Sequence, residues 1–207
     1  PFQQFEITTY WSMAQAAEQG MSHPFTGSFQ EACDELEHLL TESIRSQMIS
    51  DVPIGAFLSG GIDSPLIVSL MQKISDTPVK TFTIGFEDKK YNEAQFAKEI
   101  AAHLGTSHTE KYVSEQDLIE VIPKLAQIYS EPFADSSQIP TYLVSKLARS
   151  QVTVSLSGDA GDELFCGYNT YDKINNLYYK VNRIPYTLRK VAGAMCEKLP
   201  YGKTDKG

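Results

Sequence analysis

The chain has 207 residues, 42% of them apolar and 21% charged, so it can bury a sizeable core and is neither disordered nor fibrous. A net charge of −8 with scattered Lys and Arg argues against nucleic acid as a partner, and no window approaches the roughly 18 apolar residues of a membrane span. Three widely spaced cysteines, Cys33, Cys166 and Cys196, with no CxxC pair, fit a reducing compartment and disfavour a zinc site or a disulfide framework.

The chain starts at Pro1 with no charged and apolar leader after it, and it is expected to be cytoplasmic and a fragment of a longer protein. Residues 1–27 show no clear periodicity and read as an approach segment. Ser28 and Glu31 form a capping-box pattern, followed by Phe29, Ala32, Cys33, Leu36, Leu39, Leu40 and Ile44 at helical spacing to about Met48. Ile54 to Leu58 is a short apolar run entering a Ser-Gly-Gly turn, which suggests a buried strand. Ser64 then reads as an N-cap and Pro65 as the first helical residue, with helix to Ile74.

Val79 to Phe86 reads as the second strand, and Asn92 to Leu104 as a helix closed by Gly105. Thr109 to Val113 is a weaker third strand. Ser114, with Asp117 at the capping-box position, starts a helix whose stripe is Leu118, Ile119, Ile122, Leu125 and Ala126. A polar loop from Glu131 to Gln138 leads into a helix through Tyr142, Leu143 and Leu147. Val152 to Leu156 is a fourth strand, and Ser157 to Asp162 a turn into another helix. The alternation is that of an α/β fold with a mainly parallel sheet of about five strands and helices on both faces.

The segment SGGIDS, Ser59 to Ser64, follows a buried strand and precedes a helix. Two glycines remove side chains where the backbone turns and approaches a ligand. The N–H groups of the turn and first helical turn converge, and the helix dipole favours an anion there. Asp63 beside a phosphate makes sense if a divalent cation sits between them. An ordinary capped turn is the plainer alternative, and the flanking Ser, Asp and Ser weigh against it. A second turn, SGDAGDELFCGY from Ser157 to Tyr168, places Asp159 and Asp162 after another strand of the same sheet, at the edge where open α/β sheets bind ligands.

SGGIDS resembles the PP-loop of ATP pyrophosphatases, the adenine nucleotide α-hydrolase-like enzymes, and lacks the Lys and glycine spacing of a Walker A loop. Ser157 to Tyr168 resembles the segment that asparagine synthetases share with β-lactam synthetases. Tyr10-Trp11, VPIGAFLSGGIDS, FTIGF, YNEAQFAKEIAAHLGTSH and EPFADSSQIPTYL match the asparagine synthetase family in order and spacing. The resemblance implies ATP-dependent amidation of a carboxylate, with aspartate the first choice, through an acyl-adenylate. AMP and pyrophosphate would be released, with ammonia drawn from glutamine by another domain. It divides the chain into a linker remnant (1–27), a nucleotide-binding synthetase domain (28–172) and the start of a truncated helical region (173–207). The family's glutaminase half and the catalytic Lys of its later helical part are expected outside this chain.

The resemblance further implies that Leu58 and Ile84 flank adenine and ribose, and that Ser59, Gly60, Gly61 and Ser64 hold the pyrophosphate. Ser157 and Gly158 line the nucleotide site, Asp63 and Asp162 ligate Mg²⁺, and Asp159 takes a proton from attacking ammonia. The partners are small molecules, not nucleic acid or a membrane, and a homodimer is compatible with the family. Other acceptors, such as a sugar or a cell-surface precursor, stay open, as do a PP-loop RNA-modifying ATPase and a nucleotide-binding module without catalysis. Three residues depart from the family pattern: Pro65 replaces a common Ser, and Ala160 and Cys166 stand where glycine is frequent. His103 and His108 read as surface or satisfied histidines, and Cys166 as a packed small residue. Tyr168, Tyr171, Tyr178 and Tyr179 read as core or a domain contact, and Asp135-Ser136-Ser137 as an acceptor-side loop.

Overall fold

A short apolar strand flanked by turns must be covered on both faces, and that is how the sheet is built. The computed structural model describes residues 7–87 and 92–196. Strand β1 (Ile54–Phe57) lies inside a four-stranded sheet of order β3-β2-β1-β4, with β2 (Lys80–Phe86), β3 (Ser107–Val113) and β4 (Val154–Leu156). Every pairing is parallel. Gly55 faces Lys80 on one side and Ser155 on the other, and β2 and β3 pair from Lys80 with Ser107 to Phe86 with Val113. The described residues thus form four strands rather than about five. The sequence offers four apolar runs, and no described segment supplies a fifth.

The period-2 alternation of β1 assigns its side chains to two separate cores. Ala56, with Leu58 beyond the strand and Leu156 of β4, packs against Val68 and Met71 of α3 (Asp63–Ile74) and Ala97 and Ala101 of α4 (Ala94–Leu104). Ile44 of α2 (Phe29–Gln47) completes that layer. On the opposite face Phe57 and the fully buried Phe82 meet Val144, Leu147 and Ala148 of α7 (Gln138–Ala148). Phe82 fills the centre of the second core, and its truncation to Ala is expected to cost about 3–5 kcal/mol. Ala97 and Ala101, four apart on one helical face, let α4 approach the sheet closely.

Local chemistry explains most element ends. Ser28 and Glu31 form both bonds of the capping box that opens α2. Ser114 and Asp117 do the same for α5 (Glu115–Val121), and Gly105 ends α4 at φ 72°. Other ends differ from expectation. Strand β3 begins at Ser107 rather than Thr109, because an edge strand is drawn out by the ladder from β2 even where its own residues are polar. The predicted stripe from Leu118 to Ala126 is interrupted. Pro123 has no N–H to continue the helix, so a 3₁₀ turn (Ile122–Lys124) separates α5 from α6 (Leu125–Ile128), and Ile119 and Ile122 are exposed.

Residues 1–27 also hold more than an approach segment. Met13–Ser22 forms α1, none of whose side chains is buried. After β4 come α8 (Gly161–Phe165), α9 (Asn169–Asn182) and α10 (Tyr186–Cys196). Tyr168, Tyr171, Tyr178 and Tyr179 are exposed here, not core. Cys166 is exposed rather than packed. No described helix is long and apolar enough to cross a membrane.

Candidate functional site

The strand order decides where a ligand can enter. From β1 the chain moves outward through β2 to β3, then returns to place β4 on the other side of β1. The connection leaving β1 runs away from β4, while β4 is reached from the far side of the sheet, so the strand order reverses between β1 and β4, the switch point at which open α/β sheets bind ligands. Both turns singled out in the sequence start there, Leu58–Ile62 after β1 and Ser157–Ala160 after β4.

The two turns touch. A Cβ placed on Gly158 would lie 2.6 Å from Ser64 N and 2.8 Å from Asp63 C, and one on Gly161 would lie 2.5 Å from Asp63 Cγ. Glycine at 158 is thus a packing requirement, since a side chain there would force the second turn off the first, while a side chain at 161 would have to displace that of Asp63. Asp162 is turned toward Gly167, whose missing Cβ leaves room for Asp162 Oδ1.

Within the first turn the N–H groups of Ser59, Gly60 and Gly61 already have partners. Ser59 N–H donates to Ser64 Oγ at 2.9 Å, the Ser59 and Ser64 hydroxyls lie 2.8 Å apart, and Gly61 N–H donates to Ser59 Oγ at 3.2 Å. This corrects the reading of Ser64 as an N-cap. Helix α3 starts at Asp63 after Ile62, with no side-chain cap, and the Ser64 hydroxyl turns back into the loop. Pro65 stands in the first helical turn, where an N–H has no intrahelical acceptor, so its missing donor costs the helix nothing.

The second turn is conformationally demanding. Ala160 has φ 72° and Cys166 φ 58°, the non-glycine residues with positive φ among those described. A Cβ in that left-handed region costs about 1–2 kcal/mol, at the two positions read as departures from glycine. Ser157 Oγ donates to Asp159 Oδ2 at 2.9 Å. Tyr168 donates its hydroxyl to Glu163 Oε1 at 2.6 Å. That bond holds the Glu163 carboxyl below its usual range and, with the carboxylate beside it, pushes Tyr168 up to about 12.

Together the turns form one wall of a cleft of about 1230 Å³. Leu58, Ser59, Gly61, Asp63, Ser64, Ile84, Ser157, Gly158, Asp159 and Asp162 all line it. Gly60, the remaining expected site residue, is off the wall, and its N–H donates to Glu93 Oε2 at 3.3 Å. Asp135 and Ser137 of the expected acceptor-side loop line the cleft too, with Asp135 held below its usual range by the Ser137 N–H at 2.7 Å. No described lining residue is Lys, Arg or His.

Several contributors were not foreseen from the sequence. Thr83 reaches from β2 to donate its hydroxyl to Leu58 O at the root of the first turn. Phe86 and Val113 add apolar wall at the ends of β2 and β3. Glu93 enters through a contact 33 residues away in sequence, for which no local signal exists. His108, read as a surface or satisfied histidine, is half-buried: Nδ1 lies 3.0 Å from Thr81 Oγ1, while Nε2 is buried with no partner among the described residues.

No group of three or more described His, Cys, Asp or Glu residues could hold a metal by itself. Asp63 and Asp162 both line the cleft, and carboxylates are the donor type that a hard cation such as Mg²⁺ shares with substrate phosphates and water.

A family model described as asparagine synthase matches residues 35–204. A relative from Methanocaldococcus jannaschii is 43% identical over 175 residues, which is 84% of this chain and 33% of that protein. Glutamine-hydrolysing asparagine synthetase 1 of Bacillus subtilis is 40% identical over 172 residues, 83% of this chain and 27% of that protein. The chain thus spans about a third or less of the length of these relatives. Among solved structures, an NH3-dependent NAD synthetase from Campylobacter jejuni is similar at 16% identity with a TM-score of 0.43, over 70% of this chain and 62% of that one. So slight a likeness bears no weight.

Proposed function

This chain belongs to the asparagine synthase family, and on that premise we propose that it is the part of a glutamine-dependent synthetase that activates a carboxylate with ATP. The acceptor is aspartate. A side-chain carboxylate oxygen attacks the α-phosphorus of ATP, and the bond to the β-phosphate oxygen breaks to release pyrophosphate. Ammonia then attacks the acyl carbon and AMP leaves, giving asparagine. The observation that carries this reading is the contact of the two turns at the switch point, Gly158 against Ser64. It brings a turn rich in N–H and hydroxyl donors against one that carries two carboxylates.

The donors have separable roles. Ser59, Gly61 and Ser64 exchange their internal bonds for phosphate oxygens and hold the leaving pyrophosphate. Gly60 joins them once its N–H is free of Glu93. Leu58 and Ile84 flank the nucleoside, and Ser157 and Gly158 close the site from the other turn. Asp63 and Asp162 would hold Mg²⁺, which supplies neutralisation of the charge gathering on pyrophosphate. Asp159, steadied by the Ser157 hydroxyl, accepts the proton that ammonia loses as it attacks. Glutamine hydrolysis falls to residues outside 28–172.

Isotope transfer tests the chemistry. In the longer protein that carries the expected catalytic Lys, with aspartate labelled by oxygen-18 and ammonium supplied, the label is expected in AMP, accompanied by pyrophosphate. Formation of ADP and phosphate, or of AMP independent of aspartate, would sink the reading.

A further inference from the structure

Glu93 is the N-cap residue of α4, yet its side chain makes no bond to that helix. Asn92 Oδ1 takes the Ala94 N–H instead, at 3.1 Å. The Glu93 carboxylate reaches the first turn, where Oε2 accepts from Gly60 N–H at 3.3 Å. The backbones there have no slack. A Cβ on Gly60 would lie 3.3 Å from both Glu93 Cβ and Glu93 O, and 2.9 Å from Phe96 Cβ. Glu93 also lines the cleft beside Ser59 and Gly61.

The N–H groups of Ser59, Gly60 and Gly61 therefore differ in kind. Those of Ser59 and Gly61 are held by neutral hydroxyls that rotate away at little cost. That of Gly60 is held by a full negative charge. A bare polyphosphate has to displace this carboxylate and then lie beside it, and like charges repel strongly at such range. A polyphosphate whose charge a divalent cation already offsets meets far less opposition.

We infer that Glu93 is a specificity-determining residue: its carboxylate occupies the Gly60 donor in the free chain and makes the turn reject free polyphosphate in favour of the metal-neutralised form. The inference rests on reading Ser59–Ser64 as the polyphosphate seat. It differs from the roles of Asp63 and Asp162, because Glu93 acts by denying a donor to the wrong ligand.

The test uses inorganic pyrophosphate with the whole chain and with Glu93→Gln, a change at an exposed position that keeps size and an oxygen acceptor but removes the charge. Calorimetry without metal is expected to show about five- to tenfold tighter pyrophosphate binding in the variant, from the loss of a charged acceptor. With excess Mg²⁺ the change should be about twofold or less, so the preference for the metal complex falls. The Gly60 amide proton, read by NMR without ligand, should move upfield in the variant. Unchanged metal-free affinity in Glu93→Gln, with pyrophosphate shifting the Gly60 amide in both proteins, overturns the role of Glu93 and leaves the seat standing. Pyrophosphate that leaves the Gly60 amide unmoved in both proteins overturns the seat itself, and the inference with it.

Discussion

Gly158 faces the backbone nitrogen of Ser64 so closely that a Cβ on it would stand 2.6 Å away. At Gly158 the nearest neighbours are backbone atoms, Ser64 N and Asp63 C, which cannot rotate aside as a side chain could. Gly158→Ala has to separate the two turns. Overpacking of this kind typically costs about 1–3 kcal/mol, and urea unfolding should show a loss in that range. Because both turns line the cleft, Mg-ATP affinity should fall about tenfold or more. Unchanged affinity in a folded variant would mean that the contact does not shape the site.

Relief of strain is expected at the second turn. Ala160 and Cys166 hold left-handed φ values of 72° and 58°, where glycine has no Cβ penalty. Glycine also gains more freedom in the unfolded chain, which offsets part of the benefit. Ala160→Gly should thus stabilise by about 0.5–1 kcal/mol, and Ala160→Val, with a branched Cβ in the same region, should destabilise by about 1–2 kcal/mol. The opposite order in denaturant midpoints would show that Ala160 is not strained.

Much of this site could be read from the sequence because its chemistry is local. SGGIDS sits between a strand and a helix, and the capping boxes at Ser28 and Ser114 form as their spacing requires. Ala160 and Cys166 were visible as departures from glycine, but not the φ values that give the departures a cost. What escaped depends on how the turn closes on itself and on distant neighbours. The Ser64 hydroxyl chose Ser59 over its own helix, and Gly60 met a carboxylate 33 residues away. Strand β3 was underestimated for the same reason, since its pairing comes from β2.

His108 supplies a pH dependence of stability. Burial, opposed by the Glu110 carboxylate and reinforced by Lys98, holds its pKa below the ordinary 6.5. The folded ring therefore stays neutral where the unfolded one is already protonated, so the unfolded state binds more protons below about pH 6.5. Its contribution is complete above that value and is lost as pH falls from 6.5 toward the depressed folded pKa. The lowered carboxyls of Glu31 and Asp117 act in a separate window, losing their contribution only as pH drops below about 4.5. Unfolding midpoints at pH 5.2 and 7.5 should differ more in the parent chain than in His108→Gln; equal differences would remove the histidine from the account.

Charge in the cleft governs the last expectation. Asp63, Asp159, Asp162 and Glu163 come from the two turns, Glu87 and Glu93 from beyond β2, and Glu115 and Asp135 from segments after β3, while no described lining residue is a cation. ATP brought into this field without a metal would be repelled, and Mg²⁺ held by Asp63 and Asp162 would offset that charge. Asp63→Ala and Asp162→Ala should each weaken Mg-ATP binding by about tenfold or more. Asp159→Ala should spare it, because that carboxylate is engaged by Ser157 and is proposed to serve the acceptor side. Metal-free ATP offers the opposite sign. Removing a repelling carboxylate should tighten its weak binding, and added salt should blunt that gain by screening. A variant that merely unfolds the turn would weaken both forms together, so the paired titrations separate a ligand role from a structural one. Normal Mg-ATP affinity in Asp63→Ala, measured by calorimetry, would remove the metal bridge from the proposed chemistry.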